Sequence, residues 1–509
     1  MRNSKLILGP PGCGKTHTLI EEVKKAIGEG VSSTRIGVVS FTKKAISEFI
    51  DRACSEFPNL TKDNFPHFKT LHATGFHGLG LESSDVMGRE DYRLLSGMLG
   101  VDFEGGDATS VDDGISIPAI GGSGAKYLQM IMRATYREVT LEQEYNMQGD
   151  YNLFFEKLMQ ISLQLTSYKS HVTKLDFSDM ISQYIENVDP PHLDLLIIDE
   201  AQDLTPLQWT MARKMADNAG EIIIAGDDDQ AIHRWTGVDV QRFVDSSDNV
   251  KVLNKSYRLP RAVFNVSQSI ARRIPNRIPK PFYPREDEGN VQWVYRVEDL
   301  PLEQGSWTIM ARTNGFVKNI ADRLRGIGYF FSIKGYPSIK QEYIHVMSIW
   351  KDLQQGYALP VETIKRFYRS VPKTKEHAVV ARGSASLLDM LEPDADVDYH
   401  QLVKDFGMLA PLDRDAKDIA KLSREERLYM EAIERRGESI DGIPRIKLST
   451  IHAMKGGEDD NVGVYLGSTQ ACMEGKHPED EHRVFYVAVT RAKQNLYLIE
   501  SDKKYRYEI

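Results

Sequence analysis

A glycine-rich stretch near the amino terminus has residue types and spacing suited to binding phosphate groups. Residues 9–16 read GPPGCGKT and match the pattern G-x-x-x-x-G-K-[ST]. In such a loop the backbone N–H groups surround the phosphates, the lysine reaches the terminal phosphates, and the last residue holds Mg²⁺. An apolar run precedes the motif and a helical pattern follows it, which favours this prediction over a glycine turn with an exposed lysine. The predicted nucleotide-binding residues are Gly9, Pro10, Pro11, Gly12, Cys13, Gly14, Lys15 and Thr16.

An acidic segment has the residues needed for metal binding and proton transfer. Residues 195–198 are apolar and lead into DEAQD, which starts at Asp199. This pattern predicts two carboxylates at the carboxyl end of a buried strand. Asp199 is then the predicted metal ligand, and Glu200 the residue that orients and deprotonates a water molecule. An acidic turn after a strand is often only a solvated loop. The phosphate-binding motif upstream favours the catalytic interpretation.

The elements that must position these residues follow a βα pattern. Short apolar runs alternate with longer helical patterns, which predicts an α/β fold built on parallel sheets. Residues 78–190 and 339–444 are instead mostly helical in pattern, and residues 100–124 have the Gly, Asp and Ser content of a flexible loop. The predicted strands are Lys5–Leu8, Gly37–Phe41, Leu195–Asp199, Glu221–Ala225, Trp307–Ala311, Asp460–Leu466 and Leu496–Ile499.

Composition excludes several classes of protein. A chain of 509 residues is too long to fold around a single hydrophobic core and should form several domains. No apolar run approaches the roughly 20 residues needed to cross a bilayer, and residues 1–8 lack signal-peptide features, so we expect a cytoplasmic protein. Three scattered cysteines lack metal-ligand spacing. A net charge of −9 argues against coating nucleic acid by bulk electrostatics, so any nucleic-acid binding must be local.

A further set of blocks carries a resemblance to a known family. Residues 226–235 read GDDDQAIHRW, and DEAQD followed by GDDDQ resembles the UvrD/Rep branch of superfamily 1 helicases. The resemblance extends over nearly the whole chain, because other blocks occur in family order. They are SFTKKA from Ser40, TLHATGF from Thr70, YRLP from Tyr257, STIHAMKGGE from Ser449 and VFYVAVTRA from Val484.

The resemblance implies an architecture of two RecA-like P-loop NTPase domains with parallel sheets. Each domain would carry a mostly helical insertion, and ATP with Mg²⁺ would bind in the cleft between the domains. The implied boundaries are 1–77 with 178–260 for the first domain, 78–177 for its insertion, 261–338 with 445–509 for the second domain, and 339–444 for its insertion.

The resemblance also implies roles for residues around the nucleotide. Gln230 would sense the γ-phosphate, and Glu458 would lie near the nucleotide. Arg258 and Arg491 would approach the γ-phosphate from different sides of the interdomain cleft. An arginine placed there can accelerate phosphoryl transfer by about 10³- to 10⁵-fold.

A second group of residues would line a groove for a DNA strand. Trp235 is the sharpest prediction, because an exposed tryptophan can stack on any base for about 1–3 kcal/mol without reading sequence. A buried core tryptophan is the alternative. The basic stretch RRIPNRIPKPFYPR, residues 272–285, could contact DNA or act as a linker. The implied strand-binding residues are Phe41, Thr42, His72, His233, Trp235, His452 and Lys455.

The predicted function is therefore an ATP-dependent DNA helicase and single-stranded DNA translocase. Movement in the 3′ to 5′ direction is implied by the resemblance alone. Expected partners are single-stranded DNA, tailed duplex DNA and proteins of replication or repair, with the chain acting as a monomer or weak oligomer. Three alternatives stay open: a translocase that strips proteins from DNA, an AAA+ remodelling ATPase, and a DNA-binding module without catalytic activity.

Overall fold

The chain forms two compact units in a computed structural model. The structure describes residues 4–103, 124–148, 153–373, 378–440, 442–475 and 477–509. Most of the predicted flexible loop at 100–124 lies outside these residues. The first unit comprises Met1–Asn290, Ala471–Gln494 and Ile509, and the second comprises Val291–Gln470 and Asn495–Glu508.

The first unit is built on a six-stranded sheet in which every described strand pairing is parallel. The strand order is β3-β2-β4-β5-β1-β6, so β5 lies between β4 and β1. These strands are β1 (Ser4–Leu8), β2 (Ile36–Ser40), β3 (Phe68–Thr70), β4 (Leu193–Asp199), β5 (Ala219–Gly226) and β6 (Val250–Val252).

Both faces of this sheet are buried, which explains why its central strands are continuous apolar runs. Alternate residues of a strand point to opposite faces. Accordingly, Leu196 and Ile198 of β4 belong to one hydrophobic cluster, whereas Leu195 and Ile197 belong to another. The predicted strand 195–199 is confirmed, and its carboxylate Asp199 ends the strand.

Helices cover the sheet and form the predicted insertion. The described residues between 78 and 190 are mainly helical, as the pattern predicted, and helices α4, α5 and α7 pack around a core of their own. The helices up to residue 290 are α1 (Lys15–Gly28), α2 (Lys43–Glu56), α3 (Leu71–Gly78), α4 (Arg89–Leu99), α5 (Ala125–Arg137), α6 (Leu141–Gln148), α7 (Phe155–Val172), α8 (Phe177–Asn187), α9 (Pro206–Ala216), α10 (Val240–Val244) and α11 (Arg261–Ala271).

The second unit contains a seven-stranded sheet in the order β10-β9-β13-β8-β14-β15-β7. Strand β13 pairs in parallel with β8 and β9, and β14 pairs in parallel with β8. A two-stranded sheet is formed by β11 and β12. The strands are β7 (Asn290–Val294), β8 (Trp307–Ala311), β9 (Phe331–Ile333), β10 (Tyr336–Pro337), β11 (Leu359–Pro360), β12 (Asp396–Val397), β13 (Ile446–Thr450), β14 (Asp459–Tyr465) and β15 (Ala492–Ile499).

The described residues of the predicted second insertion are also mostly helical. Its helices and the large sheet share one hydrophobic cluster that includes Trp307, Trp350 and Tyr368. The parallel first sheet and the mostly parallel second sheet, in which β10 pairs antiparallel with β9, therefore form two RecA-like domains with helical insertions. The remaining helices are α12 (Asn314–Ile327), α13 (Gln341–Gln354), α14 (Val361–Ser370), α15 (Ser384–Leu387), α16 (Tyr399–Asp405), α17 (Ala416–Ile419), α18 (Arg424–Arg436), α19 (Gln470–Met473) and α20 (Asp480–Val489).

The compact units differ from the implied domain boundaries near the carboxyl terminus. Residues 471–494, which include α20, cluster with the first unit although the implied second domain contained them. Helix α20 packs against α11 and is also held by polar contacts. Arg483 of α20 donates to the carbonyl oxygens of Asp228 (3.0 Å) and Pro275 (3.2 Å). Along the described ranges, no helix is both long enough and apolar enough to span a membrane.

Candidate active site

The glycine-rich loop connects β1 to α1 at the carboxyl edge of the first sheet. Gly12 and Gly14 have φ angles of 71° and 73°, in the left-handed region that glycine adopts without steric cost. A Cβ atom on Gly12 would also lie 2.3 Å from Cβ of Arg258. Helix α1 begins at Lys15 without a side-chain cap, so its first N–H groups and positive dipole end are suited to an anion.

Lys15 lies between the two predicted catalytic carboxylates. Its Nζ atom is 2.8 Å from Oδ1 of Asp199, and it also donates a hydrogen bond to Glu200. Burial by itself would lower the pKa of Lys15, but attraction to Asp199 and Glu200 outweighs it and raises this pKa. Burial raises the pKa of Asp199, while Lys15 opposes that rise. The loop and the acidic segment are thus joined by ion pairs in which one ammonium group faces two carboxylates.

A hydrogen-bonded chain leads from Glu200 to Arg491. Gln202 donates to Oε2 of Glu200 at 2.7 Å and accepts from the backbone N–H of Asp227 at 3.0 Å. Oδ2 of Asp227 accepts from Gln230 at 2.7 Å, and Oε1 of Gln230 accepts from Nη2 of Arg491 at 3.0 Å. Five side chains from three segments therefore share one network. Glu200 has a φ of 52°, an uncommon conformation that is often found at functional sites.

The two predicted arginines both belong to the first compact unit. Arg258 donates to the carbonyl oxygen of Thr490 at 3.4 Å. Nε of Arg491 donates to the carbonyl oxygen of Val487 at 2.9 Å, which fixes the side chain against the last turn of α20. The resemblance implied that they approach from different sides of an interdomain cleft. Both lie in one compact unit because the segment that carries Arg491 packs there, and their approach to the γ-phosphate from different sides stays a prediction.

Tyr257 is a residue that the sequence analysis did not single out. Its backbone N–H donates to the carbonyl oxygen of Gly12 at 2.8 Å. A Cβ atom on Gly14 would lie 3.7 Å from the Tyr257 ring, which is 66% exposed. An exposed aromatic ring beside the phosphate-binding loop is suited to stacking on a nucleotide base. The sequence signal that could have pointed to Tyr257 is its position immediately before Arg258 in the block YRLP.

The basic stretch 272–285 has partners inside the protein. Asp227, Asp228 and Asp229 are buried, and Nζ of Lys280 lies 3.2 Å from Asp227 and 3.0 Å from Asp229 and pairs directly with Asp228. Arg277 binds Asp229 through two nitrogens. At least these two cations serve to neutralise buried carboxylates. Sequence reasoning missed the pairing because about 50 residues separate the partners.

The predicted strand-binding residues of the first unit differ in exposure. Trp235 is 55% exposed, whereas Phe41 and His233 are buried and their ring centroids lie 5.4 Å apart. Thr42 caps α2 by accepting from the N–H of Ala45 at 3.1 Å. Trp235 is therefore the one of these four residues with an exposed aromatic surface.

The other predicted residues are distributed over both units. His72, in the first unit, is hydrogen-bonded to the hydroxyl group of Tyr136 at 3.2 Å. His452, Lys455 and Glu458 lie in the second unit, after β13. His452 and Lys455 are partly buried, and Glu458 is exposed.

The fold and the site define a class of protein. A parallel sheet with a phosphate-binding loop after β1, and with acidic residues after β4 and β5, is a RecA-like P-loop nucleoside triphosphatase. Two family models then match the chain: the UvrD/REP helicase N-terminal domain over residues 1–251, and the UvrD-like helicase C-terminal domain over residues 399–503. The chain belongs to the UvrD/Rep helicase family.

Named relatives agree with this assignment. The chain is 22% identical over 448 residues to a probable DNA helicase II homologue of Mycoplasma pneumoniae, covering 69% of this chain and 61% of that protein. It is 21% identical over 431 residues to the ATP-dependent DNA helicase PcrA of Bacillus subtilis, covering 64% and 58%. The matched region thus spans about three-fifths of each of these relatives.

Proposed function

We propose that this protein is an ATP-dependent DNA helicase that moves along single-stranded DNA in the 3′ to 5′ direction. The observation that carries the proposal is the continuous network from Glu200 through Gln202, Asp227 and Gln230 to Arg491, with Trp235 exposed five residues beyond Gln230. Hydrolytic and strand-facing groups therefore share one short segment. The direction rests on family resemblance.

In the proposed reaction, Glu200 accepts a proton from the water that attacks the γ-phosphate. Lys15 pairs with Glu200 and Asp199, and an incoming triphosphate would compete for Lys15 with its greater negative charge. Release from Lys15 would leave Glu200 free to act as a base, oriented by Gln202. Gln230, Arg258 and Arg491 would stabilise charge on the phosphoryl oxygens.

A magnesium ion fits the donor atoms that are present. Thr16 contributes a hydroxyl group at the start of α1 and Asp199 a carboxylate at the end of β4, and Mg²⁺ prefers such oxygen ligands. When bound, the ion would neutralise negative charge on the phosphates.

The strand would be held mainly by stacking and local charge. Trp235 would stack on a base, and the exposed Lys43 and Lys44 at the start of α2 would lie near phosphates. His72 in the first unit, and His452 and Lys455 in the second, are further proposed contacts. Cycles of hydrolysis would alternate the grip of the two RecA-like domains on the strand, which converts turnover into movement.

We further propose the four implied domains and insertions, a role for Glu458 near the nucleotide, tailed duplexes as substrates, a monomer or weak oligomer, and partners in replication or repair. A DNA substrate would place the protein inside the cell.

The test compares unwinding of two duplexes that differ only in whether the single-stranded tail is 3′ or 5′. We expect ATP-dependent strand separation with the 3′ tail and little with the 5′ tail. Displacement of a DNA-bound protein without strand separation would instead support a stripping translocase. Absence of DNA-stimulated hydrolysis would contradict the proposal.

A further inference from the structure

Helix α20 contacts the segment Asp228–Arg234 at three points along its length. Near its amino-terminal end, Glu479 and Asp480 pair with Nη1 of Arg234 at 3.2 and 2.9 Å. In its first turn, Arg483 donates to the carbonyl oxygen of Asp228 at 3.0 Å. Just beyond its carboxyl end, Arg491 donates to Gln230 at 3.0 Å.

The helix is suited to act as a rigid support. Eight of its ten residues are buried, including the charged Glu481 and Arg483. Packed interiors transmit displacement because they have little free volume. A displacement of one end of α20 should therefore displace the other end as well.

The segment held by α20 contains or adjoins both proposed contact residues. Gln230 faces Arg491, and Trp235, which follows Arg234 directly, exposes its ring to solvent. The backbone carbonyl of Trp235 also accepts from Nη1 of Arg133, at 3.4 Å. The Arg234 ion pairs thus anchor the segment next to Trp235, the proposed strand contact, to α20. The same helix anchors Gln230, the proposed phosphate contact, through Arg491.

We infer that Arg234 is a positioning residue, and that its ion pairs with Glu479 and Asp480 couple strand binding at Trp235 to ATP hydrolysis at Gln230 through α20. The inference deepens the proposed function and rests on it. Arg234 itself need contact neither nucleotide nor DNA. Its removal should lower the stimulation of hydrolysis by DNA while leaving hydrolysis without DNA unchanged.

The test measures ATP hydrolysis by the full chain with and without a single-stranded thymidylate oligonucleotide. For Arg234→Gln we expect the stimulation by DNA to fall about fivefold or more, the lower end of typical coupling between sites. Arg242→Gln is the matched control. Arg242 has a side-chain exposure of 31%, against 30% for Arg234, and pairs with Glu138 and Asp239 rather than with α20. It should retain full stimulation.

A second variant separates positioning from direct phosphate contact. Glu479→Gln combined with Asp480→Asn removes the partners of Arg234 but leaves its charge. Positioning predicts the same loss of stimulation, and combining all three substitutions should cause no further loss. If Arg234 instead bound DNA phosphates, this variant would keep or increase stimulation, and the inference would be overturned. Should Arg234→Gln fail to fold, the partner variant still tests the same contact.

The outcomes also separate this inference from the proposed function. A wild-type protein without any DNA stimulation would contradict the proposed function. Normal stimulation in the wild type together with undiminished stimulation in Arg234→Gln would overturn only the coupling through α20.

Discussion

Lys280 and Asp228 form an ion pair in which both side chains are fully buried. Asp227 and Asp229 face the same ammonium group, at 3.2 and 3.0 Å. One lysine thus opposes three adjacent carboxylates in the segment that leads to Gln230. Burial would lower the pKa of Lys280, but these carboxylates outweigh it and raise the pKa, so the lysine stays charged.

Replacing this lysine should destabilise the protein. Lys280→Met leaves buried carboxylates without their main cation, which typically costs about 3–5 kcal/mol of unfolding free energy. Urea denaturation followed by circular dichroism measures the loss. Lys365→Met is the control, because Lys365 is itself only 12% exposed but its partner Asp389 is 66% exposed and stays hydrated when the lysine is removed. A Lys280→Met loss no larger than the loss in the control would contradict this account of the acidic segment.

The same cluster predicts a pH dependence. Burial, together with Asp229 and Asp228, raises the pKa of Asp227 to about 6, with Lys280 opposing the rise. A carboxyl pKa raised in the folded state contributes stability that is present below the unfolded value of about 3.9 and is lost as pH rises through about 6. Asparagine does not ionise. The thermal midpoint of Asp227→Asn should therefore rise relative to that of the wild-type protein as the pH increases from 4 to 7. Parallel midpoint curves for the two proteins would contradict the predicted pKa.

Lys15→Ala should stop hydrolysis and spare strand binding. It removes the phosphate contact, and we expect turnover to fall by at least about 10²- to 10³-fold, as for loss of one preorganised charge-stabilising donor. Binding of a fluorescent single-stranded oligonucleotide should change little. Lys5→Ala is the control, because Lys5 pairs with Glu22 and lies on β1 before the loop. Retained turnover in Lys15→Ala would count against the active site.

Tyr257→Ala should weaken ATP binding more than turnover. Loss of a stacking ring costs about 1–3 kcal/mol, which corresponds to a roughly 5- to 150-fold rise in KM. Tyr257→Phe should keep the wild-type KM, since the ring and not the hydroxyl group makes the contact. Because stacking tolerates any base, kcat/KM for ATP and GTP should fall by similar factors. An unchanged KM in Tyr257→Ala would show that the Tyr257 ring does not contact the nucleotide.

Trp235→Ala should lower affinity for single-stranded DNA. The 55% exposed ring would lose stacking worth about 1–3 kcal/mol per base, a roughly 5- to 150-fold rise in Kd. Fluorescence anisotropy with oligonucleotides of different sequence should show a similar loss for each, because stacking does not read sequence. Trp293→Ala is the control, since Trp293 is 51% exposed on β7 of the second unit. Equal losses in both variants would contradict a specific role for Trp235.

Residue pattern predicted much of the first sheet and of the site because local rules govern both. Lys15, Asp199 and Asp227 each follow an apolar run, and parallel strands bring their carboxyl ends to one edge. Motif spacing therefore predicted the candidate nucleotide site without knowledge of the strand order. The short strands β3, β6 and β9 were not predicted, because three residues carry too little periodicity.

The exposure of individual side chains and the partners of charged residues could not be predicted from local sequence patterns. His233 and Trp235 are two positions apart in one block, yet one is 3% exposed and packs on Phe41 while the other is 55% exposed. The charges of Arg277 and Lys280 were visible, but their acidic partners lie about 50 residues earlier in the chain. A local sequence pattern does not show which residues will pair across such a separation in the chain.

Residue types and motif order thus identified the family and predicted which groups hold phosphates, metal and water. Tertiary packing decided which side chains meet, including the attachment of α20 and Arg491 to the first unit. The physical reason is that motif chemistry depends on a few neighbouring residues, whereas burial and ion pairing are settled by segments that meet only when the chain has folded.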